Sequence, residues 1–330
     1  MTTPGVDPAL AEMMDAVLTE HGTDAGLWRR LDDLGLVRLT GAEESGGSGA
    51  GWNEAAELLS AAVRHGVRIP LAEHDLLACW LLERVGLPCD SAVRTVCVLD
   101  GDGRAVGVPW ASRADRIVVV WPHGDGHAVA DVAADMLTIT PGANMIGEPR
   151  DSVHADTGAL TGAAVPTAAL TQLWHRSALV RAVQICAALD RALALSVEHA
   201  SSRQQFGRPL AKFQAVQHQI ADIAAEAALA RSATEAALSR AAATDWTGDD
   251  LEFLVAAARS CAGHATTVVV RGAHQVHGAI GTTREHRLHE FTRAALAWRS
   301  EFGSVRYWDA RLTDMALQAS PGRLWGLICP

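Results

Sequence analysis

Two segments in the C-terminal half of the chain carry side chains suited to binding a phosphorylated, partly aromatic ligand. The first contains Arg203, Phe206 and Arg208 and is followed closely by Gln214. Arginine donates paired hydrogen bonds to phosphate or pyrophosphate oxygens, a phenylalanine ring offers a flat face, and a glutamine amide can pair with an amide or a purine edge. Taken alone, this segment is as consistent with a connection between helices as with a binding site.

The second segment runs from Gln275 to Thr283 and contains Gly278 and Gly281. Because glycine has no side chain, a ligand can approach the backbone closely at both positions. This segment alone is also explained equally well by a helix connection. Two such segments in one predicted helical bundle favour a binding site.

Both segments must be positioned by helices, because nearly all of the chain from Pro166 onward has helical periodicity. Apolar residues recur three or four positions apart, as on the buried face of a helix. Asp249 and Asp250 provide the acidic first turn that suits a helix N-terminus. The pattern predicts a bundle of four amphipathic helices, the first ending before Arg203 and the others covering about 213–243, 249–276 and 285–298.

The whole sequence predicts a mainly α fold with a small β module. We assign residues 1–94 to an N-terminal helical domain, 95–165 to a reduced antiparallel β domain and 166–330 to a C-terminal four-helix bundle. Three β-branched runs that end in Asp-Gly or Pro-Gly pairs are hairpin signals and place the β domain, which is too short for many strands. The glycine-rich stretch 43–51 lacks the preceding strand and the Gly-Lys-Ser/Thr of a phosphate loop, so we interpret it as an interhelical connection.

The composition limits the possible functions. Of 330 residues, 49% are apolar, which excludes a largely disordered chain, and the net charge is -10 with Lys212 as the single lysine. A general nucleic-acid binder would need a basic face, which the net negative charge of this chain does not favour. The sequence shows neither a signal-peptide pattern nor a long uncharged apolar run, so we expect a cytoplasmic protein that binds neither nucleic acid nor membrane. Its six cysteines are widely spaced, which favours buried thiols over disulfides.

In combination, the motifs resemble those of the acyl-CoA dehydrogenase family. The resemblance covers most of the chain and is carried by the order of helical and β segments and by these motifs: Arg203-x-x-Phe206-Gly207, Phe213-Gln214, Gln275-x-x-Gly278-x-x-Gly281 with Glu285, Leu34-Gly35-Leu36 and Glu43-Glu44-Ser45-Gly46-Gly47. It implies a flavoprotein fold with FAD between subunits, and therefore at least a dimer. The residues implied to contact FAD are Arg203, Phe206, Phe213, Gln214, Gln275, Gly278 and Ala279.

The family reaction introduces an α,β double bond into an acyl-CoA thioester. A carboxylate base removes the α-proton, and the β-hydrogen passes as hydride to the flavin; an electron-transfer acceptor then reoxidises it. At the commoner family position of the base, this chain has Phe302, and Glu301 lies one residue earlier. A one-residue step turns a helical side chain by about 100°, so Glu301 reaches the substrate only if the backbone there is not helical.

The second family position of the base lies on the first C-terminal helix, near Arg176 and Ser177. Between Pro166 and Leu189 the chain has no Asp or Glu. Glu301 is therefore the candidate catalytic residue of this chain. The β domain also lacks the Thr-Glu-Pro-like turn and the Trp-x-Thr segment that pack on the flavin ring in full-length relatives.

Histidine pairs raise the question of a metal site. His274 with His277, and His286 with His289, each place two imidazoles three residues apart. No third ligand is evident from the sequence, so we predict no metal site.

Three hypotheses remain open. The first is a subunit of an FAD-dependent acyl-CoA dehydrogenase that acts on a bulky acyl-CoA, such as a steroid side chain, in a hetero-oligomer whose partner supplies the base; it resembles the short subunits of such actinobacterial enzymes. The second is a self-sufficient homo-oligomer that uses Glu301. The third is a non-redox binding subunit that has lost flavin chemistry.

Overall fold

The structure, a computed structural model, describes residues 5–319 and 325–326. It forms two compact units, Met1–Ser177 and Ala178–Pro330, whose boundary lies within one long helix. The three-domain division expected from the sequence stays a prediction. Cys329 lies outside the described residues, and the other five cysteines are free thiols, as the sequence favoured.

The N-terminal part of unit 1 is helical, as predicted. The predicted inner face of its third helix is buried, including Ala55, Leu58 and Ala62. The glycine-rich stretch is a loop, as expected; a Cβ on Gly47 would lie 2.2 Å from the backbone carbonyl of Gly41. The helical elements are α1 (Pro8–His21), α2 (Leu27–Asp33), α3 (Trp52–His65), a π-helix (Ala72–Cys79) and α4 (Trp80–Arg84).

The β part of unit 1 contains more strands than the sequence predicted. Seven strands form two sheets, one in the order β1-β3-β4-β7 and one in the order β2-β6-β5. Their apolar residues pack around Trp121, which is 1% exposed. The strands are β1 (Arg94–Val98), β2 (Arg104–Pro109), β3 (Arg116–His123), β4 (Gly126–Ala133), β5 (Thr138–Thr140), β6 (Arg150–His154) and β7 (Ala163–Val165).

The description of this module as antiparallel needs correction. β3 and β4 form the antiparallel hairpin that the Asp-Gly pair at 125–126 predicted. However, β1 pairs in parallel with β3, and β2 pairs with β6 in the other sheet. The Asp100 carboxylate accepts hydrogen bonds from the backbone N–H groups of Asp102 and Arg104. The Asp-Gly turn that it stabilises connects β1 in one sheet to β2 in the other.

Unit 2 is a helical bundle that begins within α5. Its predicted helices are all present, and one further helix, α9, packs on α7. The predicted inner face of α8 is buried at Leu288, Phe291, Ala295 and Trp298. The elements are α5 (Thr167–Ser202), β8 (Gln204–Gln205), β9 (Arg208–Pro209), α6 (Gln214–Ala243), α7 (Leu251–His277), α8 (Leu288–Trp298) and α9 (Val305–Gln318).

The stretch 251–282, which includes α7, has the length and composition of a membrane span. Half of its most apolar window is nevertheless buried inside the protein. A core helix of a bundle has the same properties. The feature is therefore weak support for a membrane location.

Candidate functional site

The segment after α5 folds into a short hairpin that presents an aromatic ring to solvent. Its strands β8 and β9 pair through Gln204 with Pro209 and Gln205 with Arg208. Phe206 lies at the tip, is 89% exposed and has a left-handed backbone with φ of 53°. Phe206 and Gly207 both have positive φ, as a two-residue turn between paired strands requires, and this turn leaves the Phe206 ring in solvent.

The other predicted cofactor residues of this segment lie next to the hairpin. The guanidinium of Arg208 is 4.2 Å from the centre of the Phe213 ring, and the rings of Phe213 and Phe206 meet edge to face at 6.0 Å. Gln214 is the first residue of α6, and Arg203 follows directly after α5; both are exposed. Arg208, Phe206 and Phe213 thus form one cluster, which Arg203 and Gln214 flank in the chain.

The second predicted segment lies at the C-terminal end of α7. Gln275 lines a groove of about 400 Å³ between α6 and α7, together with Gln219, Asp222 and Arg271. Gly278 has a left-handed backbone with φ of 64°, and no atom lies within 4 Å of where its Cβ would be. The following Ala279 is exposed. The backbone is therefore open at Gly278. The expectation is wrong for Gly281, which is buried and whose Cβ would lie 2.9 Å from His277 Cβ.

The fold brings the two segments to the same end of unit 2. His199, four residues before Arg203, stacks on His277, two residues after Gln275, with ring centres 4.6 Å apart. This contact ties the C-terminal end of α5 to the C-terminal end of α7. Residues that are far apart in the sequence thus belong to one candidate site.

The exposed groups at this site fit a phosphorylated aromatic cofactor such as FAD. Arg203 and Arg208 are suited to pyrophosphate oxygens, Phe206 to a flat ring, and Gln214 and Gln275 to polar ring edges. Among the described residues, no atom beyond the chain neighbours of Gly278 comes within 4 Å of its Cβ position. The site is also one-sided within this chain, since these side chains face solvent.

The candidate base Glu301 is engaged in an ion pair. Its carboxylate accepts a hydrogen bond from Arg181 Nε at 2.7 Å, and the Arg181 side chain is 1% exposed. The ring of Phe302 lies 5.3 Å from the same guanidinium. The carboxylate is thus fixed against a buried guanidinium instead of being free to approach a substrate.

A second arginine, Arg259, stabilises the turn that carries Glu301. Arg259 Nη2 donates hydrogen bonds to the carbonyls of Arg299, Glu301 and Gly303 at 2.8 to 3.2 Å. Burial, together with the charge of Arg181, lowers the pKa of Arg259 to about 9. The backbone here is not helical, because Phe302 has φ of 50°. The non-helical backbone that Glu301 would need in order to reach a substrate is therefore present. The Glu301 carboxylate nevertheless points to Arg181.

A buried arginine lies near the alternative position of the base on α5. Arg176 is 5% exposed, and its guanidinium carbon lies 3.9 Å from the centre of the Trp80 ring and 5.2 Å from that of Trp52. The next residue, Ser177, donates its hydroxyl hydrogen bond to the Leu173 carbonyl. No carboxylate lies on α5 at this level.

Sequence reasoning missed Arg181 and Arg259 as partners of the Glu301 turn. Both arginines lie in helix stretches whose other residues are mostly apolar and buried. A charged residue in such a stretch almost always has a partner. That signal was available, but it does not identify the partner.

Comparisons with known proteins found sequences similar to this chain. Residues 167–305 match the sequence family described as "Acyl-CoA dehydrogenase, C-terminal domain". The chain is 29% identical to the acyl-CoA dehydrogenase IpdE2 of Mycolicibacterium smegmatis over 291 residues, which cover 85% of this chain and 84% of that protein. It is 27% identical to the acyl-CoA dehydrogenase FadE27 of Mycobacterium tuberculosis, with 84% of each chain covered.

Solved structures show the same fold. A chain of the ChsE4-ChsE5 complex from Mycobacterium tuberculosis superposes with a TM-score of 0.84 at 24% identity, covering 97% of this chain and 100% of that chain. A variant of the Tcur3481-Tcur3483 steroid ACAD superposes with a TM-score of 0.83 at 24% identity, covering 94% and 97%.

Proposed function

This chain belongs to the acyl-CoA dehydrogenase family, and on that premise we propose that it is the FAD-binding, base-deficient subunit of a hetero-oligomeric dehydrogenase. In this proposal a second acyl-CoA dehydrogenase-like subunit supplies the carboxylate that removes the α-proton. The substrate is a bulky acyl-CoA thioester, and the product carries an α,β double bond. An electron-transfer acceptor reoxidises the enzyme.

The ion pair between Glu301 and Arg181 carries the proposal. A catalytic carboxylate must be held in an apolar environment and remain ready to accept a proton. Glu301 instead pairs with a buried guanidinium at 2.7 Å, and the residues near the second position that a base would take, Arg176 and Ser177, include no carboxylate. The chain therefore has cofactor-binding residues without a suitable base.

The hairpin residues have a defined task in the proposed enzyme. Bound FAD supplies the two-electron acceptor for the desaturation. Arg203 and Arg208 neutralise the pyrophosphate, and the Phe206 ring excludes water from the cofactor surface it covers. Gln214 and Gln275 orient the cofactor by hydrogen bonds from positions on two different helices.

Two observations support the hetero-oligomer and the bulky substrate. The chain shares its fold with a member of the two-component ChsE4-ChsE5 complex and with a protein described as a steroid ACAD. The Phe206 ring, which is 89% exposed, marks a surface that a second subunit and the shared cofactor would bury. A bulky acyl group as the substrate agrees with the description of the second of these proteins as a steroid ACAD.

Co-expression tests the proposal. The untagged chain is produced alone and together with an acyl-CoA dehydrogenase-like protein encoded beside it, and flavin content and subunit ratio are measured in both preparations. We expect an equimolar complex that contains FAD and desaturates a steroid side-chain CoA thioester, and little flavin in the chain alone. A yellow, active preparation of the chain alone, with one FAD per subunit, would contradict the proposal and favour the self-sufficient enzyme.

A further inference from the structure

Three histidines from separate segments meet at the end of unit 2 that carries the cofactor-binding segments. His199 lies in the last turn of α5, His277 ends α7, and His286 precedes α8. One ring nitrogen of each lies within 4.8 Å of the corresponding nitrogens of the other two. The ring centres of His277 and His286 are 4.6 Å apart.

His277 is the centre of this cluster and has an unsatisfied nitrogen. The residue is 5% exposed, and its Nδ1 donates a hydrogen bond to the Ala273 carbonyl at 2.8 Å. The proton of the neutral ring is therefore on Nδ1, and Nε2 carries a lone pair. Within the described part of the chain, Nε2 is buried and has no hydrogen-bond partner. A backbone carbonyl on the second nitrogen is the arrangement that orients metal-bound histidines.

For two of the three histidines, His277 and His199, the surroundings favour the neutral form that metals bind. Burial and the neighbouring His199 and His286 lower the pKa of His277 to about 4, although its bond to the Ala273 carbonyl acts in the opposite direction. Burial, His286 and Arg203 also lower the pKa of His199. A neutral imidazole is a common ligand of zinc and of other late transition metals.

We propose that His199, His277 and His286 form a binding site for one divalent transition-metal ion, with Zn²⁺ as the ion that three neutral nitrogen ligands fit best. Two nitrogens bound to one tetrahedral zinc lie about 3.3 Å apart, given the zinc–nitrogen bond length of about 2.05 Å. The three nitrogens must therefore approach one another by at most about 1.5 Å, which side-chain rotation supplies. The fourth position is available to water.

Binding changes one hydrogen bond of His286. Without a metal ion, Nδ1 of His286 accepts a hydrogen bond from the Leu288 N–H at 3.1 Å. Coordination through Nε2 requires the ring proton on Nδ1, so the metal bond replaces this hydrogen bond. Leu288 is the first residue of α8, where backbone N–H groups have no partner within the helix.

The site has a structural consequence for the cofactor-binding segments. His199 is four residues from Arg203, and His277 is two residues from Gln275. A bound ion would fix the ends of α5 and α7 to each other and to the start of α8. This consequence rests on the proposed function, whereas the metal site itself does not.

Zinc titration of the untagged chain, after chelator treatment, tests the site. We expect one Zn²⁺ per chain by calorimetry, a higher melting temperature, and a tetrahedral absorption spectrum when Co²⁺ replaces zinc. His277→Gln and His199→Gln should each weaken zinc binding by about 100-fold or more, because each removes one of three ligands. The matched control is His264→Gln, on the exposed part of α7, which should bind zinc within about twofold of wild type because its ring is 63% exposed and outside the cluster.

Two results would overturn the proposal. One is the absence of stoichiometric zinc binding to the folded wild-type chain. The other is binding by His199→Gln that matches the wild type, which would mean adventitious binding at other histidines. His199 is half-buried, so this variant keeps the test valid if His277→Gln fails to fold, as judged by circular dichroism.

Discussion

At the scale of single residues, arginines decide what the candidate catalytic positions can do. Arg181 holds the Glu301 carboxylate, Arg259 holds the turn around it, and Arg176 lies between two tryptophans. Glu301 could be found from the sequence because it stands one residue from the family position of the base. Its ion pair could not, because Arg181 and Glu301 are distant in the sequence and only the bundle brings them together.

The Glu301–Arg181 pair should contribute to stability. Glu301→Gln leaves a buried guanidinium without its counter-charge, so we expect the free energy of unfolding to fall by about 2 kcal/mol. Urea denaturation of the isolated chain measures it. The matched control is Glu290→Gln, which breaks an exposed pair with Arg287 and should change stability by less than about 0.5 kcal/mol. Equal effects of the two variants would contradict the role assigned to the Glu301–Arg181 pair.

Arg176 should be sensitive to a substitution that keeps its charge. Arg176→Lys removes the planar group that lies over the Trp80 ring, so we expect a loss of about 1–2 kcal/mol in the free energy of unfolding. Arg113→Lys, on an exposed turn, is the control and should be neutral. If both variants unfold at the same urea concentration as the wild type, the stacking has no energetic importance.

Asp75 in the π-helix should make the stability of the protein depend on pH. Burial raises the pKa of Asp75 to about 7, although hydrogen bonds from Thr40 act against this shift. Between about pH 4 and pH 7 the unfolded chain has lost this proton and the folded chain keeps it. The contribution of Asp75 to stability therefore decreases with rising pH in this window, by on the order of 1 kcal/mol per pH unit, and levels off above it.

Chemical denaturation at several pH values checks this effect. Asp75→Asn should remove the decrease, so the difference between variant and wild type should shift in favour of the variant between pH 4 and pH 7. Asp125→Asn, in the exposed β3–β4 turn, should keep the wild-type profile. Parallel profiles for wild type and Asp75→Asn would show that Asp75 is ionised throughout.

At the scale of elements, the β8–β9 hairpin places Phe206 where it costs stability in the isolated chain. The Phe206 ring contributes little to the folding of the isolated chain, and its left-handed backbone is costly for a residue with a Cβ. Phe206→Gly should therefore be more stable than Phe206→Ala by about 1 kcal/mol, because glycine adopts this backbone without strain. Thermal unfolding of both isolated variants measures the difference.

The same two variants should behave alike in flavin binding. Both lack the ring, so both complexes with the partner subunit should retain less FAD than the wild type. Flavin absorbance per complex measures this retention. Wild-type flavin content in Phe206→Ala would show that the hairpin tip does not contact the cofactor.

The elements themselves were predictable where the pattern is long and regular. The buried face of α8 and the interior of α3 follow directly from helical spacing. The parallel pairing of β1 with β3 did not follow, because an Asp-Gly turn has the same local sequence whether it closes a hairpin or leads to another sheet. The meeting of His199 with His277 and His286 was missed for a related reason, since short spacing shows only pairs within one segment.

At the scale of the whole molecule, the order of helical, β and helical parts was predictable from the sequence. The hairpin and the α7 turn present binding groups to solvent from one side only. The turn after α8 offers no carboxylate suited to act as a base. These features agree with the proposal that the chain is one half of a catalytic unit whose partner supplies the base.

The activity of an assembled complex that carries Glu301→Gln tests this account most directly. Turnover of the acyl-CoA is compared with that of the wild-type complex at equal flavin content, and a variant of the partner's own candidate base serves as the positive control. We predict that Glu301→Gln keeps kcat within about threefold of wild type, because a residue outside the transition state leaves its energy unchanged. A loss of about 1,000-fold or more would contradict the account and identify Glu301 as the base.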